Sequence, residues 1–169
     1  REEPFDGETR LLIPSPTEVS TYDQKPEMSA LEVCQSVLDT LELEDCPAVL
    51  IVNLANCDMV GHTGKLPAII AAVECVDQCC GTIIDKTLAL GGSLVITADH
   101  GNAERTWNVE TNTPDTAHTT YDVPLHIVGE QWREIDMRSG GILADIAPTM
   151  LHMMGIQQPS SMTGTTLIQ

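Results

Sequence analysis

The chain has 169 residues, with 25 acidic residues against 8 Lys and Arg and a formal net charge of −17 at pH 7. This length suits one domain with its own core and excludes a large multidomain enzyme within the chain. The charge disfavours nucleic acid and anionic lipid, whose binding needs clustered basic residues. No apolar run reaches the roughly 18 residues of a membrane span, and no leader pattern is present. We therefore expect a cytoplasmic protein without nucleic-acid or membrane partners.

The first third of the chain predicts one helix and one buried strand. The short apolar run Leu11–Ile13 lies among prolines and suggests an edge strand. Ser29 followed by Glu32 is a capping-box pattern, and apolar residues then recur at helical spacing, which predicts a helix over about Ser29–Glu42. Ala48–Leu54 is almost continuously apolar and rich in β-branched residues, as in a central parallel strand.

The rest of the chain continues the alternation of helices and strands. A helical period runs over Leu66–Leu88 and stops at the Gly91-Gly92 pair. Ser93–Thr97 predicts a second buried strand, so that the two strands and the intervening helix form a parallel βαβ unit. Val123–Val128 is a third strand candidate, and Asp145 can cap a helix that runs through Met154, with Pro148 in its first turn. The pattern predicts an α/β layered domain.

Unusual polar residues cluster in the loops expected where these strands end. One cluster is Asn56–His62, a second is Ala98–Asn102, and a third, Thr116–Thr119, precedes the last strand. In open α/β sheets, functional groups gather beyond the carboxyl ends of the strands. Carboxylate and imidazole together suit Mn²⁺, Zn²⁺ or Fe²⁺, which predicts a hydrolytic or phosphoryl-transfer metal site. The candidate ligands are Asp58, His62, Asp99, His100 and His118.

Simpler interpretations remain open for each feature taken alone. An Asp-His pair after a strand is commonly turn chemistry, and an acid and a histidine four residues apart can simply interact on a helix surface. His126 and His152 are predicted to be structural. The six cysteines are interpreted as reduced thiols, mostly in the core. A zinc site is the less favoured alternative, because no C-x-x-C pair is present.

At these clusters the sequence resembles a family. The strings are TYD at 21–23, PEMSA at 26–30, DMVGHTG at 58–64, TADHGNAE at 97–104 and TAHT at 116–119. Their order and spacing are similar to those of cofactor-independent (2,3-bisphosphoglycerate-independent) phosphoglycerate mutases over essentially the whole chain. The metal ligands alone are shared by the wider alkaline phosphatase superfamily, so it is the combination of strings that is specific.

The resemblance implies an alkaline phosphatase-like fold, a three-layer α/β sandwich around a mostly parallel sheet. It implies two Mn²⁺ ions and a serine nucleophile that carries the phosphoryl group between the two hydroxyls of phosphoglycerate in glycolysis. By motif, Asp58, His62 and His118 hold one ion. Asp99 and His100 hold the other, together with an aspartate and the serine from an N-terminal segment of the same polypeptide.

The resemblance covers only the C-terminal part of the phosphatase-like domain. Residues 1–169 are expected to be that segment, with the serine segment and the transferase domain absent and no catalytic nucleophile within the chain. The isolated chain is then expected to be inactive. Two alternatives are another phosphomutase or phosphatase of the same superfamily, which should lack the combined strings, and a non-catalytic metal-binding module.

Overall fold

The structure is a computed structural model that describes residues 3–169. Its helices are α1 Ala30–Leu41, α2 Asn56–Gly61, α3 Leu66–Ala89 and α4 Ile146–Met153, and its strands are β1 Leu94–Thr97, β2 Trp107–Asn108, β3 Thr113–Pro114 and β4 Leu125–Val128. Three short 3₁₀ turns occupy Tyr22–Gln24, Glu130–Trp132 and Leu143–Asp145. The chain divides into two compact units, the first made of residues up to Lys86 with Gly101–Thr120, and the second of Thr87–His100 with Tyr121–Gln169.

The core of the first unit joins the segment just before α1, the helix α2 and the first half of α3. Met28, Val60, Ile69 and Ala72 are buried together there. All four are apolar, and the spacing of Ile69 and Ala72 puts them on one face of α3. This core fixes the position of α2, the short helix that carries two of the candidate ligands.

The helices α1 and α3 contact each other through small, buried residues. The Cys34 thiol donates a hydrogen bond to the Cys79 carbonyl at 3.7 Å, and the Cys79 thiol donates to the Ala30 carbonyl at 3.6 Å. Farther along, Lys86 Nζ lies 2.6 Å from Glu42 Oε1. None of the six cysteines forms a disulfide, as expected of reduced thiols, but only Cys34 and Cys79 are buried, so the prediction that most of them lie in the core is wrong.

Helix α3 is long and apolar enough, by length and composition alone, to cross a membrane. Its most apolar 18-residue window has a mean hydropathy of 1.5, and 22% of that window is buried. This differs from the expectation that no apolar run reaches the length of a membrane span. Core helices of water-soluble proteins can be equally long and apolar, although they are mostly buried, and α3 carries Glu74 and Asp77 besides its contacts with α1. A single helix of this kind is weak evidence for a membrane span.

Two predicted strands in the first unit are not formed. The segments Leu11–Ile13 and Ala48–Leu54 lie outside every helix and strand among residues 3–169, and Ile51 is 90% exposed. Strand formation needs a partner with free backbone groups, and no described residue pairs with either segment. The residues that follow Ala48–Leu54 were expected to form a loop, but they fold into α2.

The predicted helix over Ser29–Glu42 is confirmed, although its predicted cap is not. Ser29 precedes α1, but its side chain makes no bond to the helix N-terminus. Its hydroxyl donates instead to the Pro14 carbonyl at 2.8 Å, which ties the N-terminal segment to the helix. The capping-box pattern therefore predicted the correct start of the helix, although the capping hydrogen bond itself is not formed.

The second unit contains the strand pair β1 and β4. The two strands are antiparallel, with Leu94 opposite Val128 and Thr97 opposite Leu125. Both strands were predicted, but the predicted parallel βαβ unit is wrong, because Ala48–Leu54 is unpaired and β1 pairs with β4. The predicted end of α3 is correct: Gly91 has a φ of 75°, and the next amide bonds back to the Thr87 carbonyl at 2.9 Å.

The second unit also holds a buried carboxylate before α4. Asp145 is 3% exposed and accepts hydrogen bonds from the amides of Ile142 at 3.0 Å and Thr165 at 2.8 Å, and from Arg138 Nη2 at 2.7 Å. The two backbone amides, followed by the guanidinium, lower the pKa of Asp145 to about 2. The predicted helix after Asp145 is confirmed, but the predicted side-chain cap is not, because the carboxylate bonds to the preceding turn, Arg138 and Thr165 instead of to the start of α4.

Candidate metal centre

Three of the five candidate ligands meet in the first unit. Asp58 Oδ1 lies 3.2 Å from His62 Nε2 and 3.0 Å from His118 Nε2, and the two imidazole nitrogens are 3.1 Å apart. The three atoms form a nearly equilateral triangle. All three side chains remain partly exposed, so the triangle is open to solvent on one side.

The short helix α2 sets two corners of the triangle. Asp58 lies in its first turn, and His62 follows its last residue, four positions later. The His62 amide donates to the Asp58 carbonyl at 3.1 Å, which continues the helical turn. Side chains four residues apart lie on the same helix face, so the local backbone brings the carboxylate and the imidazole together.

A backbone carbonyl fixes the orientation of the His62 ring. His62 Nδ1 lies 2.6 Å from the Thr116 carbonyl oxygen, which can only accept a hydrogen bond. The proton of a neutral His62 is therefore on Nδ1, and the lone pair of Nε2 faces Asp58 and His118. A ligand histidine whose other nitrogen donates to a carbonyl is the usual arrangement at protein metal sites.

The other two candidate ligands, Asp99 and His100, lie in the second unit directly after β1. His100 Nε2 is 3.7 Å from Asp99 Oδ1. Asp99 is exposed and His100 is half-buried. Their position at the carboxyl end of a strand is the one that the sequence predicted.

Asn102 is a buried polar residue that the sequence analysis did not single out as a functional residue. It is 5% exposed, and its Nδ2 donates to Asp58 Oδ1 at 3.0 Å. Its backbone amide donates to Glu104 Oε2 at 2.8 Å. The only signal in the sequence was its place in the 97–104 string, because no sequence spacing predicts which side chain an asparagine amide will contact.

Comparisons with known proteins identify the family. A family model described as the metalloenzyme superfamily matches residues 1–158. The chain belongs to the metalloenzyme superfamily. Its α/β fold of the alkaline phosphatase type is supported by a solved structure of Leishmania mexicana phosphoglycerate mutase at low cobalt concentration. That structure matches with a TM-score of 0.82 and 28% identity, over 93% of this chain and 31% of that one.

Within the metalloenzyme superfamily, the chain is similar to 2,3-bisphosphoglycerate-independent phosphoglycerate mutases, and the resemblance seen in the sequence is confirmed. It is 54% identical over 169 residues to the protein from Rhodopirellula baltica and covers 31% of it. It is 53% identical over 167 residues to the protein from Clostridioides difficile and covers 32% of it. The chain thus spans about a third of the length of these relatives.

The donor set of this metalloenzyme fits a divalent cation. Two imidazole nitrogens and one carboxylate oxygen are ligands that Mn²⁺, Zn²⁺ and Fe²⁺ all accept. Three such acceptor atoms at 3.0–3.2 Å repel one another unless a proton or a metal ion lies among them. Tetrahedral bonds of about 2.1 Å would separate ligand atoms by about 3.4 Å, so a small outward movement would admit an ion.

The lysines and arginines among residues 3–169 are all paired with acids. Every Lys and Arg side chain between residues 3 and 169 forms an ion pair with a carboxylate. The pairs are Arg10–Glu8, Lys25–Glu18, Lys65–Asp23, Lys86–Glu42, Arg105–Asp115, Arg133–Glu130 and Arg138–Asp145. Each lysine and arginine in this part of the chain therefore already has a carboxylate partner, and none of them is left unpaired to bind an anionic ligand.

A recess of about 410 Å³ adjoins the triangle on the His62 side. Thr21, Tyr22, Met59 and Lys65 contribute to its walls. Lys65 Nζ lies 2.6 Å from Asp23 Oδ2, and this bond, followed by one from Thr21, lowers the pKa of Asp23. The recess therefore presents a neutralised ion pair rather than a free cation.

Proposed function

We propose that the chain is the metal-binding, C-terminal part of a phosphoglycerate mutase that interconverts 3-phosphoglycerate and 2-phosphoglycerate through a phosphoserine intermediate. The observation that carries the proposal is the 54% identity over all 169 residues to a protein of that name. The triangle of Asp58, His62 and His118 supports it, because the reaction class relies on divalent cations. A cytoplasmic role in glycolysis belongs to the same proposal.

We assign the five candidate ligands to two Mn²⁺ sites. Asp58, His62 and His118 would hold one ion. Asp99 and His100 would hold the second, with an aspartate and the nucleophilic serine from an N-terminal segment of the full-length enzyme. When bound, the ions would supply positive charge that favours the serine alkoxide and offsets the charge on the transferring phosphoryl oxygens.

The chain's own residues would perform the positioning in this scheme. The Thr116 carbonyl keeps the Nδ1 proton of His62 in place, so that the Nε2 lone pair remains available as a ligand. Helix α2 holds the Asp58 carboxylate beside that lone pair. Because the ligand atoms are already within 3.2 Å of one another, little side-chain ordering remains to be done when a cation binds.

The paired basic residues support a division of labour in the full-length enzyme. Phosphoglycerate carries a phosphate and a carboxylate, and arginine forks are well suited to both. The Lys and Arg side chains of residues 3–169 are already paired with acids. The groups that hold the substrate would therefore come from the remaining part of the enzyme, and the isolated chain would be inactive.

Calorimetric titration with Mn²⁺ tests the metal assignment. The chain should bind Mn²⁺ at neutral pH, and Asp58→Ala and His118→Ala should each abolish that binding. His126→Ala is the matched control, because His126 lies in β4 of the second unit. Absence of Mn²⁺ binding by the folded chain, or equal loss of binding in the His126 variant, would refute the assignment.

A mutase assay tests the division of labour. The isolated chain should give no turnover of 3-phosphoglycerate above that of Asp58→Ala, whereas the full-length enzyme should be active and should lose activity on the same substitution. Turnover by the isolated chain above this control would overturn the proposed need for a serine from outside it. Sequencing the gene upstream should reveal the serine segment and the transferase domain.

A further inference from the structure

The contact between Asn102 and Asp58 suggests a role beyond the five ligands. We propose that Asn102 is a positioning residue that holds the Asp58 carboxylate in the orientation needed to bind a cation, and that Gly61 is required for Asn102 to reach it. The inference rests on the proposed metal site. All of the residues involved belong to the first unit.

The Asn102 amide is aimed at the ligand atoms. Its Nδ2 lies 3.0 Å from Asp58 Oδ1, which is the same oxygen that faces His62 and His118. Nδ2 is also 3.5 Å from both the Asp58 carbonyl and His62 Nε2. An N–H group cannot bind a cation, so Asn102 acts through Asp58 rather than as a ligand.

A carboxylate that must present one chosen oxygen benefits from such a donor. Rotation about the last side-chain bond of Asp58 would otherwise exchange its two oxygens or turn both away from the imidazoles. A hydrogen bond from a buried amide removes that freedom before the cation arrives. Because Asn102 is 5% exposed, water cannot readily replace the bond.

Gly61 leaves the space that this approach requires. It is the last residue of α2 and is buried. A Cβ atom at position 61 would overlap Asn102 Oδ1 and would lie only 2.8 Å from Asn102 Cγ. Any side chain there would force the amide away from Asp58, so the close packing of Gly61 and Asn102 serves the same contact.

Glu104 anchors Asn102 from the other side. Glu104 Oε2 accepts the backbone amide of Asn102 at 2.8 Å, and Oε1 accepts the Thr119 hydroxyl. The Thr119 amide in turn donates to the Gly101 carbonyl at 2.8 Å. Since Thr119 follows His118, these bonds link the segment that carries Asn102 to the segment that carries the third ligand.

The test measures binding of Co²⁺ alone to the chain, by calorimetry and by its visible absorption spectrum. Asn102→Leu keeps the shape but removes the donor, and Asn102→Ala removes the side chain. Both should weaken Co²⁺ binding by about 10- to 100-fold, the usual effect of losing a group that orients a ligand. Both should also change the Co²⁺ spectrum, which reports ligand geometry and which a purely structural residue would leave unchanged in a folded protein.

Gly61→Ala provides an independent perturbation with a matched control. Alanine favours helix over glycine, so helix propensity alone predicts unchanged or better metal binding. Displacement of Asn102 predicts binding that is weaker by a similar factor to that in Asn102→Leu. Gly81→Ala is the control, because Gly81 lies within α3 and a Cβ there meets no atom within 4 Å. It should leave Co²⁺ binding unchanged.

The outcomes separate this inference from the proposed function. If the unsubstituted chain binds no Co²⁺, the metal site itself is refuted. If that chain binds Co²⁺ and the folded Asn102 variants bind it equally well with the same spectrum, the positioning role is refuted. Should the Asn102 variants fail to fold, Gly61→Ala decides: weakened binding supports the role, and unchanged binding overturns it.

Discussion

The hydroxyl of Thr149 offers a sharp test of how the second unit is held together. It is fully buried, donates to the Asp145 carbonyl at 2.7 Å, and accepts the Leu167 amide at 2.9 Å. Thr149→Val keeps the shape and removes both bonds. The Leu167 amide then has no acceptor in a buried place, because Leu167 is 3% exposed. An unsatisfied buried donor costs about 1–3 kcal/mol of unfolding free energy.

A matched substitution isolates that cost. Thr82 in α3 also donates to the carbonyl four residues earlier, that of Gln78 at 2.9 Å, but it is exposed, so water can satisfy its neighbours when the hydroxyl is removed. Thr82→Val should change the unfolding free energy by no more than about 0.5 kcal/mol. The difference between the two variants therefore measures the Leu167 amide rather than the loss of a helical back-bond.

Urea denaturation followed by far-UV circular dichroism makes the comparison. With a slope of about 2 kcal/mol per M, Thr149→Val should lower the midpoint by roughly 0.5–1.5 M, and Thr82→Val should barely move it. Equal midpoints for the two variants would refute the reasoning, since the buried amide would then have found another acceptor.

Three further outcomes follow from other features. The pKa of Asp145 is lowered to about 2, so its contribution to stability is present above about pH 4 and is lost as the pH falls through 2. Between pH 6 and pH 2 the urea midpoint should fall less for Asp145→Asn than for the unsubstituted chain, and an equal fall in the two proteins would contradict this. Ile51, 90% exposed in an unpaired apolar segment, should promote self-association in sedimentation velocity, and Ile51→Lys should reduce it. Burial raises the pKa of Cys79 to about 12, so a thiol reagent should modify the exposed Cys46 in the folded chain and reach Cys79 only on unfolding.

Periodicity and end signals predicted the larger elements well. The apolar spacing of α3 and its Gly91-Gly92 end gave that helix almost to the residue, and α1 and α4 were located in the same way. These signals are local, because a helix satisfies its own backbone. The four-residue spacing of Asp58 and His62 also allowed the two side chains to interact, but the helix α2 that brings them together was not predicted, because this segment was expected to form a loop.

The pairing of strands and the burial of individual polar side chains could not be predicted in the same way. An apolar run such as Ala48–Leu54 indicates the composition of a strand, but a strand also needs a partner, which its own residues do not specify. The antiparallel pairing of β1 with β4 joins segments about 30 residues apart, a separation over which no local spacing rule specifies the partner. Asn102 became visible only when the fold placed its amide beside Asp58.

The ion pairs of the lysines and arginines also affect how fast a cation can arrive. Each lysine and arginine among residues 3–169 is paired with a nearby acid, and the chain's net charge of −17 comes from the acids in excess of its basic residues. Such a surface attracts divalent cations over distances of about a Debye length, roughly 8 Å at physiological ionic strength. Metal capture should then be rapid and slowed by added salt, whereas the rate of metal release depends on the ligand triangle.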